Sequence, residues 1–163
     1  MSKTEMPNKF RLFDIMILQK QFNFKDIELL KISDIRSHEF VIEFGISILP
    51  HEEQQPNMPY IAVLSIVNIY VDKEKKHHIG LLEIGNTFEI ADIEKLLSTG
   101  RLVIPDEMLY VFVTTAIGNT RGILFGELKS TPLQNVFLPL ILTKPIMDDL
   151  KKQLALENEK PSS

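Results

Sequence analysis

The chain has 163 residues, 44% of them apolar and 25% charged, with a formal net charge of −4 at pH 7 and no cysteine. That length is most simply one domain, large enough to bury a core without covalent staples. The mild negative charge argues against nucleic acid as the main partner, and the missing thiols exclude a disulfide framework, thiolate catalysis and thiolate metal ligation.

Residues 1–9 are polar and read as a flexible tail. The opening string MSKTEMPNKF has no apolar signal-peptide core, so a cytoplasmic location is expected. Phe, Ile and Leu dominate residues 10–30. Phe13, Ile15 and Ile17 share one face by alternation, whereas Phe22 and Phe24 share the other. The change of face near Leu18 predicts either a bulged strand or two short strands. Residues 39–49 alternate cleanly. Phe40, Ile42, Phe44, Ile46 and Ile48 fall on one side, and Glu39, Glu43 and Ser47 on the other, the period of a half-buried strand. Pro50, Pro56 and Pro59 mark a loop. Residues 60–71 are a β-branched run, apolar on both faces, and Asp72 to His78 is a charged turn. Residues 79–90 form a further strand with Leu82, Ile84, Phe88 and Ile90 in phase. Three strands in series with polar turns predict an antiparallel meander within an α+β fold.

The period then changes. Asp92 is placed to cap a short helix ending at Gly100. Pro105-Asp106-Glu107 opens a longer helix, in which Leu109, Phe112, Val113, Ala116, Ile117, Thr120, Leu124 and Leu128 recur at helical spacing. Val111 to Ile117 is β-branched enough that a strand competes with this reading. Asp106, Glu107 and Arg121 interrupt the apolar stretch, so no membrane insertion is expected. Gly118, Gly122 and Gly126 lie four apart, in line with Thr114. Each glycine costs a helix about 1 kcal/mol against alanine. Three in register therefore mark either a smooth stripe that another backbone approaches closely or a frayed or broken helix. Thr143 with Pro145 starts a last helix, with Ile146, Leu150 and Leu154 on one stripe. Asp148 and Asp149 precede Lys151 and Lys152, the order the helix dipole favours. The folded domain is taken as residues 10–155, followed by a disordered tail over 156–163.

The most informative stretch is Thr131 to Ile141, an apolar run with Pro132 near its start and Pro139 near its end. Proline fixes φ and removes a donor, so this run can be neither a helix interior nor a central strand. It must be an extended connection covered by the chain itself or by a partner. Catalytic signals are thin. His38, His51, His77 and His78 show no chelating spacing, and Lys73, Lys75 and Lys76 beside the last two form a basic turn. Gly118-Asn119-Thr120-Arg121-Gly122 lacks the ending of a phosphate loop and lies inside a helical pattern. Arg121 in an apolar helix needs a carboxylate or carbonyl partner. No nucleophile elbow or spaced carboxylate pair occurs, so neither enzyme nor cofactor is expected.

Three strings resemble the SecB family of bacterial export chaperones. Ile17-Leu18-Gln19-Lys20-Gln21-Phe22-Asn23-Phe24 is similar to the family's first strand, I-Y-x-K-D-x-S-F. Phe88-Glu89-Ile90-Ala91 resembles F-x-I-x-G at the end of the fourth, with Asp92 in place of the glycine. Thr131 to Pro139 resembles T-F-P-x-L-x-L-x-P, with the same spacing from threonine to last proline. The resemblance spans residues 10–155 and implies a four-stranded antiparallel sheet with helices on one face, assembled as a dimer or homotetramer. It implies client-binding at Leu133, Phe137 and Leu138, oligomer contacts at Thr114, Gly118, Gly122 and Gly126, and docking of a SecA-type motor at Leu81 and Glu83. The family's acidic docking positions on the first strand align with Gln21 and Lys25, which weakens the motor. The crossover from Lys25 to His38 is short and carries no aromatic residue. Three functions compete. The first is a holdase for unfolded or extended polypeptides, for export or for a dedicated client such as an antitoxin. The second is a non-enzymatic subunit of a larger assembly. The third is an enzyme or small-molecule binder, with Arg121 and a polar strand-face residue in a pocket.

Overall fold

The computed structural model describes residues 10–25, 27, 40–49, 59–98 and 101–158. The tail over residues 1–9, His38, His51, Pro50, Pro56, Glu39, Gly100 and all of the crossover except Lys25 and Ile27 lie outside the described residues. Four strands make the main sheet: β1 (Phe10–Phe22), β2 (Val41–Ile48), β3 (Tyr60–Tyr70) and β4 (His78–Ile90). Their order is β1-β4-β3-β2, and every pairing is antiparallel. β2, β3 and β4 form the expected meander, and β1 returns to the far edge beside β4.

Alternation decides which face is covered. Ile61, Val63, Val67 and Ile69 of β3 point inward, opposite Phe88, Leu82 and their neighbours on β4. β1 is one bulged strand, with register shifts between Leu12 and Asp14 and between Ile17 and Gln19. The second shift is the expected break at Leu18. The first corrects the sequence reading: it turns Phe13 away from the face of Ile15 and Ile17, and its ring packs 4.9 Å from Tyr60 on the opposite face.

Two helices lie on the inner face, α1 (Asp106–Leu128) and α2 (Thr143–Asn158). α2 thus continues past residue 155, the expected domain boundary. All eight residues expected on the apolar stripe of α1 are buried, so its burial settles the competition with a strand. By length and composition α1 could also cross a membrane, but here that stripe packs on the sheet. The short helix expected after Asp92 is instead a 3-10 turn, Ile93–Leu96, running into β5 (Leu97–Ser98), which pairs with β6 (Arg101–Leu102). Asp92 makes no capping bond; its carboxylate accepts from Lys95 Nζ at 2.9 Å.

The core has two apolar halves. One gathers Phe88, Met108, Phe112, Ala116 and Leu150; the other gathers Val67, Leu82, Ile84, Leu124, Leu128, Leu133, Val136 and Leu138. Ser65, Asn86 and Thr120 are the buried polar residues among those described. Asn119 Nδ2 donates to Asn86 Oδ1 at 2.8 Å, tying α1 to β4, and Thr120 Oγ1 donates to Ala116 O at 2.7 Å. The second apolar half is closed by the proline-bracketed run, which therefore acts as a strap over the end of α1.

Candidate functional site

α1 ends through local chemistry. Ser130 turns the chain with φ at +65°, and Thr131 then starts the strap. Thr131 Oγ1 donates to Leu128 O at 2.7 Å and accepts the Leu133 N–H at 3.1 Å. The N–H of Gln134 donates to Thr131 O at 3.1 Å, and that of Val136 to Leu133 O at 2.8 Å. These bonds set the phase of the run. Leu133, Val136 and Leu138 become buried pegs, each fully buried side chain contributing about 1.5–3 kcal/mol. Phe137, Leu140 and Leu142 face outward, 58%, 92% and 76% exposed. Of the three residues implied to bind clients, Leu133 and Leu138 thus belong to the protomer's own core, and Phe137 is the one at the surface.

Between α1 and the strap runs a groove of about 320 Å³. Arg121, Gly122, Leu124 and Phe125 form the helix wall, and Val136, Phe137 and Leu138 the strap wall. The rings of Phe125 and Phe137 stack with centroids 6.2 Å apart. Arg121 Nη2 donates to Pro139 O at 2.8 Å, the carbonyl partner that its place in an apolar helix demanded. Phe125 and Leu142 were not singled out in the sequence, and Leu140 was marked only as part of the Thr131 to Ile141 run. Phe125 lies off the buried stripe of α1, and the two leucines lie at or beyond the second proline, so neither periodicity nor the proline bracket singles them out.

Gly118, Gly122 and Gly126 are exposed on an unbroken α1, and a Cβ at any of them would meet nothing within 4 Å. The isolated protomer therefore does not need glycine there. Thr114 is half-buried, and its Oγ1 bonds back to Tyr110 O at 2.8 Å and Val111 O at 3.1 Å, which occupies the hydroxyl within its own helix. Tyr110 and Val111 on the same helix are exposed.

β1 is a second exposed surface. Leu12, Ile15 and Ile17 point to the inner face opposite Phe88, Asn86 and Ile84, yet Ile15 and Ile17 remain 40% and 41% exposed. Phe13, Met16 and Leu18 are exposed as well. A long, apolar, unpaired edge is a template for another strand. On the other face, Gln21 lies directly opposite Leu81, and Gln19 opposite Glu83. The fold thus brings Gln21, Leu81 and Glu83 together, with Lys25 just past the end of β1, its N–H donating to Asn23 Oδ1 at 3.2 Å.

The basic turn is paired with nearby carboxylates, one of them on β2. Lys75 pairs with Glu43 and Lys76 with Glu74, while His77 Nδ1 lies 3.0 Å from Asp72 Oδ2. The N–H of Lys76 and the N–H of His77 donate to the Asp72 carboxylate at 3.0 and 2.9 Å, and these bonds, that of Lys76 first, hold its pKa below the ordinary carboxylate range. No group of three or more potential metal-ligating side chains occurs among the described residues.

No protein-family model matches the chain, and no curated protein matches it. Among solved structures it is similar to the Rv1957 SecB-like chaperone of Mycobacterium tuberculosis in complex with a ChAD peptide from the Rv1956 HigA1 antitoxin. The TM-score is 0.51 at 12% identity, covering 82% of this chain and 90% of that one. A protein of unknown function from Streptococcus agalactiae aligns with a TM-score of 0.38 at 8% identity, over 82% of this chain and 98% of that one. The fold is SecB-like.

Proposed function

We propose that the chain is a SecB-like holdase that takes up unfolded or extended polypeptide segments in the groove between α1 and the strap. The observation that carries this is a groove lined by the exposed rings of Phe125 and Phe137, with Leu140 and Leu142 also exposed in the chain that follows. A shallow apolar groove gives affinity with little sequence selectivity, which suits a binder of many chains. The SecB-like chaperone of similar fold holds an antitoxin peptide, so an antitoxin is one client class to test alongside export clients.

Assembly is part of the proposal. The exposed edge and inner face of β1 suit pairing with a second copy, and the flat stripe of Thr114, Gly118 and Gly126 suits a second helix packed closely across α1. Leu81 and Glu83, beside Gln21, remain the proposed docking residues for an export motor. The same uncovered β1 edge supports a second reading, in which the chain is an interaction subunit that pairs its edge with one folded partner.

The test is suppression of aggregation of a chemically unfolded model protein, with solution mass measured by light scattering on the same sample. Protection by an oligomer of this chain supports the holdase. A monomer without protective effect, or a species that binds only folded partners, moves the function to the interaction subunit.

A further inference from the structure

Among the described residues the groove contains one charge, that of Arg121, and no described carboxylate neutralises it. Several other cations sit on carboxylates: Lys20 on Glu127, Lys151 on Asp106, Arg11 on Glu89. Arg121 has only the Pro139 carbonyl, and the described residues offer it no carboxylate. A guanidinium stays protonated at any physiological pH and carries five N–H donors in a planar fork. A carbonyl satisfies one donor and cancels no charge. The remaining walls, Leu124, Phe125, Val136, Phe137 and Leu138, are apolar and offer the guanidinium no other polar partner, so an incoming carboxylate can form a charge-assisted bond there.

We propose that the groove selects extended segments in which a bulky apolar side chain, seated against Phe125 and Phe137, is followed closely by a carboxylate that pairs with Arg121. The carboxylate is an acidic side chain within the segment. This rests on the holdase reading of the same groove and adds the class of segment it prefers. The net charge of −4 repels acidic segments at long range. The preference therefore comes from contact with Arg121 and is removed with it.

The experiment uses the full chain and three labelled peptides, blocked at both ends and identical except for Glu, Gln or Lys after a central Phe. Binding is read by fluorescence anisotropy at low and high ionic strength. The Glu peptide is expected to bind about two- to fivefold more tightly than the Gln peptide, as for a partly exposed ion pair, and the Lys peptide most weakly. High salt should narrow the spread. Arg121→Gln should bring the three affinities together, and Arg121→Lys should keep part of the preference. The salt series on the unaltered chain decides the matter even if Arg121→Gln does not fold. Equal affinity for Glu and Gln, or a Glu preference that survives in folded Arg121→Gln, overturns the proposal while leaving the holdase intact. If none of the three peptides binds, the holdase reading falls and this one with it.

Discussion

Phe137 and Leu138 are neighbours on the strap with opposite tasks, and truncating each in turn separates core from surface. Leu138 is 5% exposed and packs in the second half of the core with Leu124 and Leu133. Leu138→Ala should cost about 2–5 kcal/mol, the range for a buried leucine whose cavity does not collapse. For a domain of this size that lowers the melting temperature by about 4–20 °C. Phe137 is 58% exposed, and what it loses within the protomer is chiefly its stack on Phe125. Phe137→Ala should therefore cost about 1 kcal/mol or less. Urea unfolding followed by circular dichroism, at one protomer concentration because assembly adds to apparent stability, measures both. Aggregation suppression by each folded variant is the second readout. Phe137→Ala should keep its stability and lose much of its protection. If it unfolds as readily as Leu138→Ala, the groove rim is core. If it stays folded and protects undiminished, Phe137 does not touch clients.

Ile15→Lys with Ile17→Lys should lower the solution mass by light scattering without altering the circular dichroism, because both side chains are already partly exposed; a lost sheet signal at unchanged mass contradicts the β1 interface. Gly118→Ala meets no atom within 4 Å, so in an isolated protomer it should raise stability by about 1 kcal/mol; a fall in solution mass with Gly118→Leu, by light scattering, would show that the stripe packs against another chain. Phe112 lies 4.3 Å from Phe88 and 5.6 Å from Phe10 between ring centroids, so Phe112→Ala should cost about 3–5 kcal/mol in urea unfolding. Asp72 has a folded pKa below its unfolded value, so the stability it adds is present above the unfolded pKa and lost as pH falls through the folded one. Asp72→Asn should flatten that acid limb in melting temperatures across the acid range, and an unchanged limb rejects the turn as its source.

Several elements were legible because their side chains keep one period. β2 places Phe44, Ile46 and Ile48 inward as alternation required, and α1 buries every residue of its stripe. The bulge at Leu18 was visible as a change of face. The bulge at Phe13 was not, since Phe13, Ile15 and Ile17 alternate without a break and only pairing with β4 exposes the shift. Asp92 had the chemistry of a cap, yet Lys95 took its carboxylate and Leu97 paired with Leu102.

For the strap, the two prolines already ruled out helix and central strand, and the apolar residues required a cover. Which residues that cover reached was a tertiary matter. An extended run has no period strong enough to phase it, so the turn from Ser130 to Val136 and the fit of Leu133, Val136 and Leu138 against α1 and the sheet decided that these three go in and Phe137 stays out. The groove arose the same way. Arg121 and Phe125 are separated in sequence from Phe137 and Pro139, and only the folding of the strap back across α1 sets an unneutralised guanidinium beside apolar walls.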